Sequence, residues 1–278
     1  MIVQGQVPAY FDYLIDAFHR GEAGRYVHLG YWSASPSATG ESFAAAQQRL
    51  DEKLAAMAGL EAGQAILDAG CGFGGTLGRL NRQLSGMRLA GVNVDRRQLD
   101  ICRMQQPASG NRFEWHEADA CRLPFPDQSF DRVLCIEAMF HFRSRREFFL
   151  EAERVLKPGG ALIGSDITIA LSAQTLEVPG FCIEAPLQDG YGPWPDFWGD
   201  DADHAVLAGA AGLRVATLQD ATANTLSSHR FTAPRDADES RDTGNVALRA
   251  ALMLRWLHRE GHLRYWLFRF DKPAMDPS

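Results

Sequence analysis

Three groups of residues have the types and spacing that chemistry requires. The run Ile66-Leu-Asp-Ala-Gly-Cys-Gly-Phe-Gly-Gly75 takes an apolar strand into Gly70, Gly72 and Gly74 and opens a helix directly behind them. Glycines there permit a tight turn and a close backbone approach, and the first N–H groups of the helix face whatever lies on the loop. Roughly twenty residues further on, Asp95 closes the run Gly91-Val-Asn-Val-Asp95. A carboxylate at the end of a second strand can accept both hydrogen bonds of a ribose diol. It can also cap the helix that begins at Arg96, and one residue can do both. Loop and acid point to an adenosine-containing ligand; a nicotinamide dinucleotide would use the same devices.

The third group is His141, in Glu137-Ala-Met-Phe-His-Phe142, with Asp166, in Ile163-Gly-Ser-Asp-Ile167. His141 lies just beyond one apolar strand and Asp166 at the end of the next, both at the carboxyl edge where open α/β sheets bind ligands. Histidine suits general-base work near neutral pH; between Phe140 and Phe142 it can equally be a packed ring. Asp166 can orient His141, hydrogen-bond an acceptor, or cap a strand from within the core. Glu137 is a further candidate, structural or near a ligand's amino group.

The elements that must position these residues read as a doubly wound α/β sheet. Strands are expected near 65–69, 88–94, 112–116, 130–136 and 160–167, with helices near 74–85, 96–105 and 145–155, which is the alternation of a parallel sheet with crossover helices. Ahead of them, a helix starts after Pro8, a loop rich in glycine and aromatics runs from Gly24 to Trp32, a turn holds Pro36, and a second helix spans about 42–57, stopped by Gly59. Residues 171–202 break the pattern with four prolines, Trp194, Phe197 and Trp198. A helix near 202–211, a strand near 213–219, a polar loop, a helix near 245–259 and a strand near 262–270 complete the chain. This divides it into an N-terminal helical cap (1–62), a core (63–170 and 203–278) and an insertion (171–202).

Composition narrows the function classes. With 278 residues, 46% of them hydrophobic, there is material for one sizeable core. The net charge is −7 and no Lys/Arg cluster tracks a phosphate backbone, so nucleic acid is not expected as a partner. No apolar stretch approaches the ~20 residues that span a bilayer and no signal peptide is visible, which predicts a cytoplasmic protein. The arginine-for-lysine usage, with lysine only at 53, 157 and 272, suggests a bacterial source. Five cysteines without C-x-x-C spacing predict reduced, buried thiols. His258 and His262 lie four apart, but Gly261 breaks the helix between them, and no metal is expected.

Glycine loop and Asp95, followed by Glu117-Ala-Asp-Ala120, Leu123-Pro-Phe-Pro-Asp-Gln-Ser-Phe-Asp-Arg-Val-Leu134 and Glu153-Arg-Val-Leu-Lys-Pro-Gly-Gly160, resemble the class I S-adenosylmethionine-dependent methyltransferases over about residues 40–170. The resemblance implies a Rossmann-like seven-stranded sheet, mostly parallel with the last strand antiparallel. It implies S-adenosylmethionine as cofactor, its methionine part over Gly70, Gly72 and Gly74, its ribose on Asp95, its adenine by Asp119 and Ala120, and Ile136 lining it. His28-Leu-Gly-Tyr-Trp32 resembles the lid motif of the branch acting on sterols, tocopherols and natural products, and some members of that branch carry a functional histidine where His141 stands.

These readings predict transfer of a methyl group to a small, largely apolar metabolite, with oxygen slightly favoured as acceptor and carbon or nitrogen as alternatives. His141 and Asp166 are the catalytic candidates. His28, Tyr31, Trp32, Phe140, Trp194 and Trp198 are the expected substrate contacts, because long aromatic loops inside a compact domain are usually lids or binding loops. Residues 171–202 could instead form a homodimer contact. A pyridine-nucleotide oxidoreductase and a non-catalytic binding scaffold are the other classes left open.

Overall fold

The structure is a computed structural model that describes residues 7–33, 41–196, 198–199, 201–233 and 245–274. The turn at Pro36 and Phe197 lie outside the described residues. In chain order the elements are α1 (Ala9–His19), α2 (Phe43–Ala58), β1 (Ala65–Ala69), α3 (Gly75–Gln83), β2 (Arg88–Asn93), α4 (Arg96–Arg103), β3 (Arg112–Glu117), β4 (Phe130–Ile136), α5 (Arg145–Val155), β5 (Leu156–Ile169), α6 (Glu184–Tyr191), α7 (Asp201–Ala210), β6 (Arg214–Asp220), α8 (Thr222–Thr225), α9 (His229–Thr232), α10 (Val246–Arg259) and β7 (Leu263–Asp271).

The seven strands form one sheet in the order β3-β2-β1-β4-β5-β7-β6. β1 to β5 pair in parallel, and β7 runs antiparallel to both β5 and β6. β1 pairs with β2 on one side and β4 on the other, so the winding reverses there, and the carboxyl ends of β1 and β4 bound the crevice where such sheets take ligands. The glycine loop leaves β1 at that point and Glu137 leaves β4.

Both sheet faces are covered, as the near-continuous apolar strands require. Ile66, Leu134, Ile163 and Leu267 pack with Leu50 and Leu54 of α2, Leu77 and Leu80 of α3, and Leu254 and Leu257 of α10. Leu67, Val133, Leu162 and Phe268 pack with Phe148 and Phe149 of α5 and Ala208 of α7. α2 ends on Gly59 at φ 58°, the left-handed cap its sequence predicts.

Three local readings change. β5 starts at Leu156 rather than near 160, because the turn around Lys157–Gly160 is tied to the end of β7: Gly159 N–H donates to the Lys272 carbonyl and Lys272 N–H to the Gly160 carbonyl. The insertion is a helical pack, with α6 set against α10 and α1. The polar loop after β6 holds α8 and α9, begun where Asp220 Oδ1 accepts from Thr222 N–H at 2.8 Å.

Behind β7, His258 is paired with His229 rather than with His262. His258 Nε2 donates to the Thr222 carbonyl (2.8 Å), which leaves its Nδ1 to accept from His229 Nε2 (2.9 Å). Burial lowers both pKa values, that of His229 to about 3 with help from His258 and Arg255. Both rings are therefore neutral in the fold, while the unfolded chain takes protons near pH 6.5. Stability is intact above pH 6.5, falls as pH drops below it, and the loss levels off near pH 3. The slope of Tm between pH 7 and 5 should shrink in a His229→Phe, His258→Leu variant; an unchanged slope would refute the pair's part in it.

Candidate active site

Gly70, Gly72 and Gly74 sit at φ 78°, 52° and 71°, the left-handed region that only glycine enters freely. Space makes the same demand. A Cβ on Gly70 would lie 2.5 Å from Ala138 Cβ, and one on Gly72 2.6 Å from Val27 Cγ2. The loop is thus clasped between the segment after β4 and the N-terminal cap. α1 adds Leu14 and Ile15, which pack on Phe73 and Ile101, and Arg25 Nη1 donates to the carbonyls of Phe73 (3.1 Å) and Ile101 (3.0 Å).

Acidic side chains surround this loop at the strand ends. Asp95 is buried at the end of β2 and caps α4 through the Arg97 N–H at 2.9 Å, so the capping role is real. Asp119, after β3, accepts from Cys121 N–H at 2.8 Å and faces Arg143 at 3.5 Å, beside buried Ala120. Ile136 is the last residue of β4. Glu137 follows it at φ 52°, a strained position for a side chain with a Cβ and a frequent mark of a functional site. Its Oε2 accepts from Leu29 N–H (2.9 Å) and from Tyr265 Oη (2.7 Å), and Tyr265 Oη also lies 2.9 Å from Ser165 Oγ. The cap is therefore pinned to the ends of β4, β5 and β7 through one carboxylate. Burial raises the Glu137 pKa to about 7 against the lowering effect of those hydrogen bonds.

Asp68 is a further acid of this crevice that no sequence motif marks. It lies at the end of β1, 3% exposed, with no side-chain hydrogen bond among the described residues, and burial together with Asp51 raises its pKa to about 7. The available signal was a lone acid inside the apolar run Ala65–Ala69. The donor set of this crevice, a glycine cradle flanked by Asp68, Asp95 and Asp119, fits a ligand carrying an ammonium group, a ribose and a purine.

His141 occupies a single turn of 3-10 helix, Met139–His141. Its Nδ1 is bonded to the Tyr191 carbonyl; a carbonyl only accepts, so Nδ1 carries the proton and Nε2 is the unprotonated nitrogen. Nε2 has no hydrogen-bond partner among the described residues. Burial lowers the His141 pKa to about 4, so the ring is neutral at pH 7. Aromatic rings enclose it: Phe140 at 4.3 Å between centroids, Phe11 at 5.0 Å, Tyr191 at 6.2 Å and Tyr10 at 6.4 Å. Trp194 stacks on Phe140 at 4.7 Å. Helices α1 and α6 thus bring their rings to the end of β4, which places Phe140 and Trp194 of the expected contacts beside His141.

The remaining expected residues meet structural partners. Asp166 does not orient His141. It points to the opposite sheet face, where its carboxylate meets Arg145 Nε at 2.7 Å and His204 Nε2 at 3.0 Å, all buried. Burial would raise its pKa, but Arg145 and His204 outweigh that and hold it below the ordinary carboxylate value. Tyr31 and Trp32 have partners of their own. Trp32 Nε1 donates to Ser228 Oγ at 2.8 Å and its ring stacks on Phe231, while Lys53 lies over Tyr31 at 5.1 Å. His28 is buried against Tyr26, its carbonyl held by Gln47 at 2.8 Å. These three fasten the cap to α2 and α9. Trp198 forms a bridge with Ile169 at the end of β5. Four cysteines are buried and Cys182 is exposed, all free.

The block Leu123–Gly160 is scaffold. Arg154 donates to the Leu123 and Phe125 carbonyls, Glu151 accepts from Leu123 N–H, and Asp131 joins Ala65 N–H to Lys157 Nζ. The family pattern described as a methyltransferase domain matches residues 67–164, which include this stretch. Over these residues the chain is similar to a methyltransferase domain. Methyltransferase GfsG of Streptomyces halstedii is 38% identical over 161 residues, 56% of this chain and 57% of that one. The 27-O-demethylrifamycin SV methyltransferase of Amycolatopsis mediterranei is 35% identical over 156 residues, 55% and 56% of the two chains. A sterol 24-C-methyltransferase of Eremothecium gossypii is 37% identical over 124 residues, 44% and 33%. The chain spans about half the length of the first two of these relatives and a third of the last. The chain shares its fold with mycolic acid cyclopropane synthase CmaA1 from a solved structure (TM-score 0.75, 18% identity, 96% and 97% covered). It also shares it with the [4+2]-cyclase SpnF (TM-score 0.73, 22% identity, 96% and 94% covered). No helix among the described residues is long and apolar enough to cross a membrane.

Proposed function

We propose that this chain transfers a methyl group from S-adenosylmethionine to a small, largely apolar metabolite of natural-product type, with a hydroxyl slightly favoured as acceptor. Bound S-adenosylmethionine supplies a methyl group already activated by its sulfonium. The chain's part is to hold, orient and dehydrate, and alignment alone can supply a large share of the barrier reduction. Gly70, Gly72 and Gly74 cradle the methionine part with Asp68 near its ammonium, Asp95 takes the ribose, and Asp119 and Ala120 flank the adenine. Glu137 holds the cap shut through Leu29.

The single observation that carries the reading is neutral His141, with Nδ1 fixed on Tyr191 and Nε2 unprotonated, inside an aromatic cluster beside that crevice. Nε2 accepts the acceptor's hydroxyl proton as the methyl moves, and Tyr10, Phe11, Phe140, Tyr191 and Trp194 supply an apolar wall. The names of relatives support both oxygen and carbon as acceptors, among them an erythromycin 3''-O-methyltransferase and sterol 24-C-methyltransferases. Solution calorimetry tests the cofactor class. Micromolar binding of S-adenosylhomocysteine with no heat from NADH is expected; the reverse would make the chain an oxidoreductase.

A further inference from the structure

The carboxylate assigned to the ribose already carries a side chain. Asp95 Oδ1 accepts from Arg97 Nε at 3.1 Å as well as from the Arg97 N–H at 2.9 Å, and Oδ2 accepts from Arg97 Nη2 at 2.8 Å. The third guanidinium nitrogen, Nη1, reaches Asp12 Oδ1 on α1 at 2.7 Å. One arginine therefore spans from the end of β2 to the cap. Asp95 is 3% exposed and Arg97 50%, so the inner bonds lie on a desolvated carboxylate while the outer pair is open to water and screened.

A carboxylate offers about four lone-pair positions, and Arg97 takes three. A ribose diol brings two donors. The backbone N–H bond closes the first turn of α4 and stays, so one side-chain bond must be given up before both hydroxyls can bind. A sugar with a single hydroxyl fits without that loss. We propose that Arg97 is a specificity-determining residue of the nucleoside site: it competes with the ribose diol for Asp95 and, through Asp12, couples that exchange to the seating of α1. The proposal rests on the reading that Asp95 is the ribose acid.

Binding of S-adenosylhomocysteine and its 2′-deoxyribose analogue to wild type, Arg97→Ala and Asp12→Asn, measured by calorimetry, tests it. Arg97→Ala should bind S-adenosylhomocysteine about fivefold more tightly, the scale of an ion pair of this exposure, with the 2′-deoxy analogue unmoved. Asp12→Asn should shift S-adenosylhomocysteine the same way by less, because the fork on Asp95 remains. Weaker or equal binding of S-adenosylhomocysteine to Arg97→Ala, or an equal shift for both ligands, would overturn the competition while leaving the ribose reading in place. Failure of wild type to bind S-adenosylhomocysteine would remove both.

Discussion

Replacing His141 with alanine should lower turnover about 100-fold, the usual lower range for a group that moves a proton in the transition state. S-Adenosylhomocysteine affinity should change less than about twofold, because no expected cofactor contact passes through the ring. His141→Phe separates chemistry from packing. Phenylalanine keeps the contacts with Phe140, Phe11 and Tyr10 but has no Nε2, so it should be as slow as alanine. If phenylalanine restores turnover, the ring only shapes the pocket. The pH profile adds an independent check. His141 must be neutral to accept a proton, and burial lowers its pKa to about 4. Activity should therefore persist through pH 6 and fall as pH drops toward 4, rather than near the ordinary 6.5.

The second large effect is on stability. Asp166→Ala leaves Arg145 and His204 buried without their carboxylate, and stranding one partner of a buried ion pair costs about 3–5 kcal/mol. Tm should fall by roughly 10 °C, while turnover per folded molecule at low temperature stays within about threefold of wild type. A 100-fold loss of turnover with unchanged Tm would return Asp166 to the reaction. Arg145 explains the contrast with His141. Its guanidinium also donates to the carbonyls of Ile167 and Pro195, so the trio joins β5 to the insertion rather than to the crevice.

Legibility in the sequence followed the range of the interactions concerned. The strands, the crossover helices and the loop Gly70–Gly74 were readable because periodicity and left-handed turns are local properties. Asp95 was readable because strand end and helix start are adjacent. Side-chain direction was not. Asp166 and Ser165 differ by one residue and therefore face opposite sides of the sheet, which decides between Arg145 and Tyr265 as partner. Trp32 and Trp194 carry equal apolar surface in sequence. Only tertiary packing sends one to Ser228 and the other to Phe140. Arg97 is a first-turn residue of α4, and no local pattern encodes its reach to Asp12, 85 positions away. Asp68 hid inside a strand whose neighbours are apolar.

Cofactor and acceptor are proposed to meet in one crevice at the carboxyl ends of β1, β2 and β4. A crystal structure with S-adenosylhomocysteine addresses it most directly. The ribose should lie on Asp95, the adenine beside Asp119 and Ala120, the amino group near Asp68, and the sulfur should face the rings around His141. Ligand density elsewhere on the molecule, or side chains closing the space above Gly70–Gly74 in the complex, would contradict it.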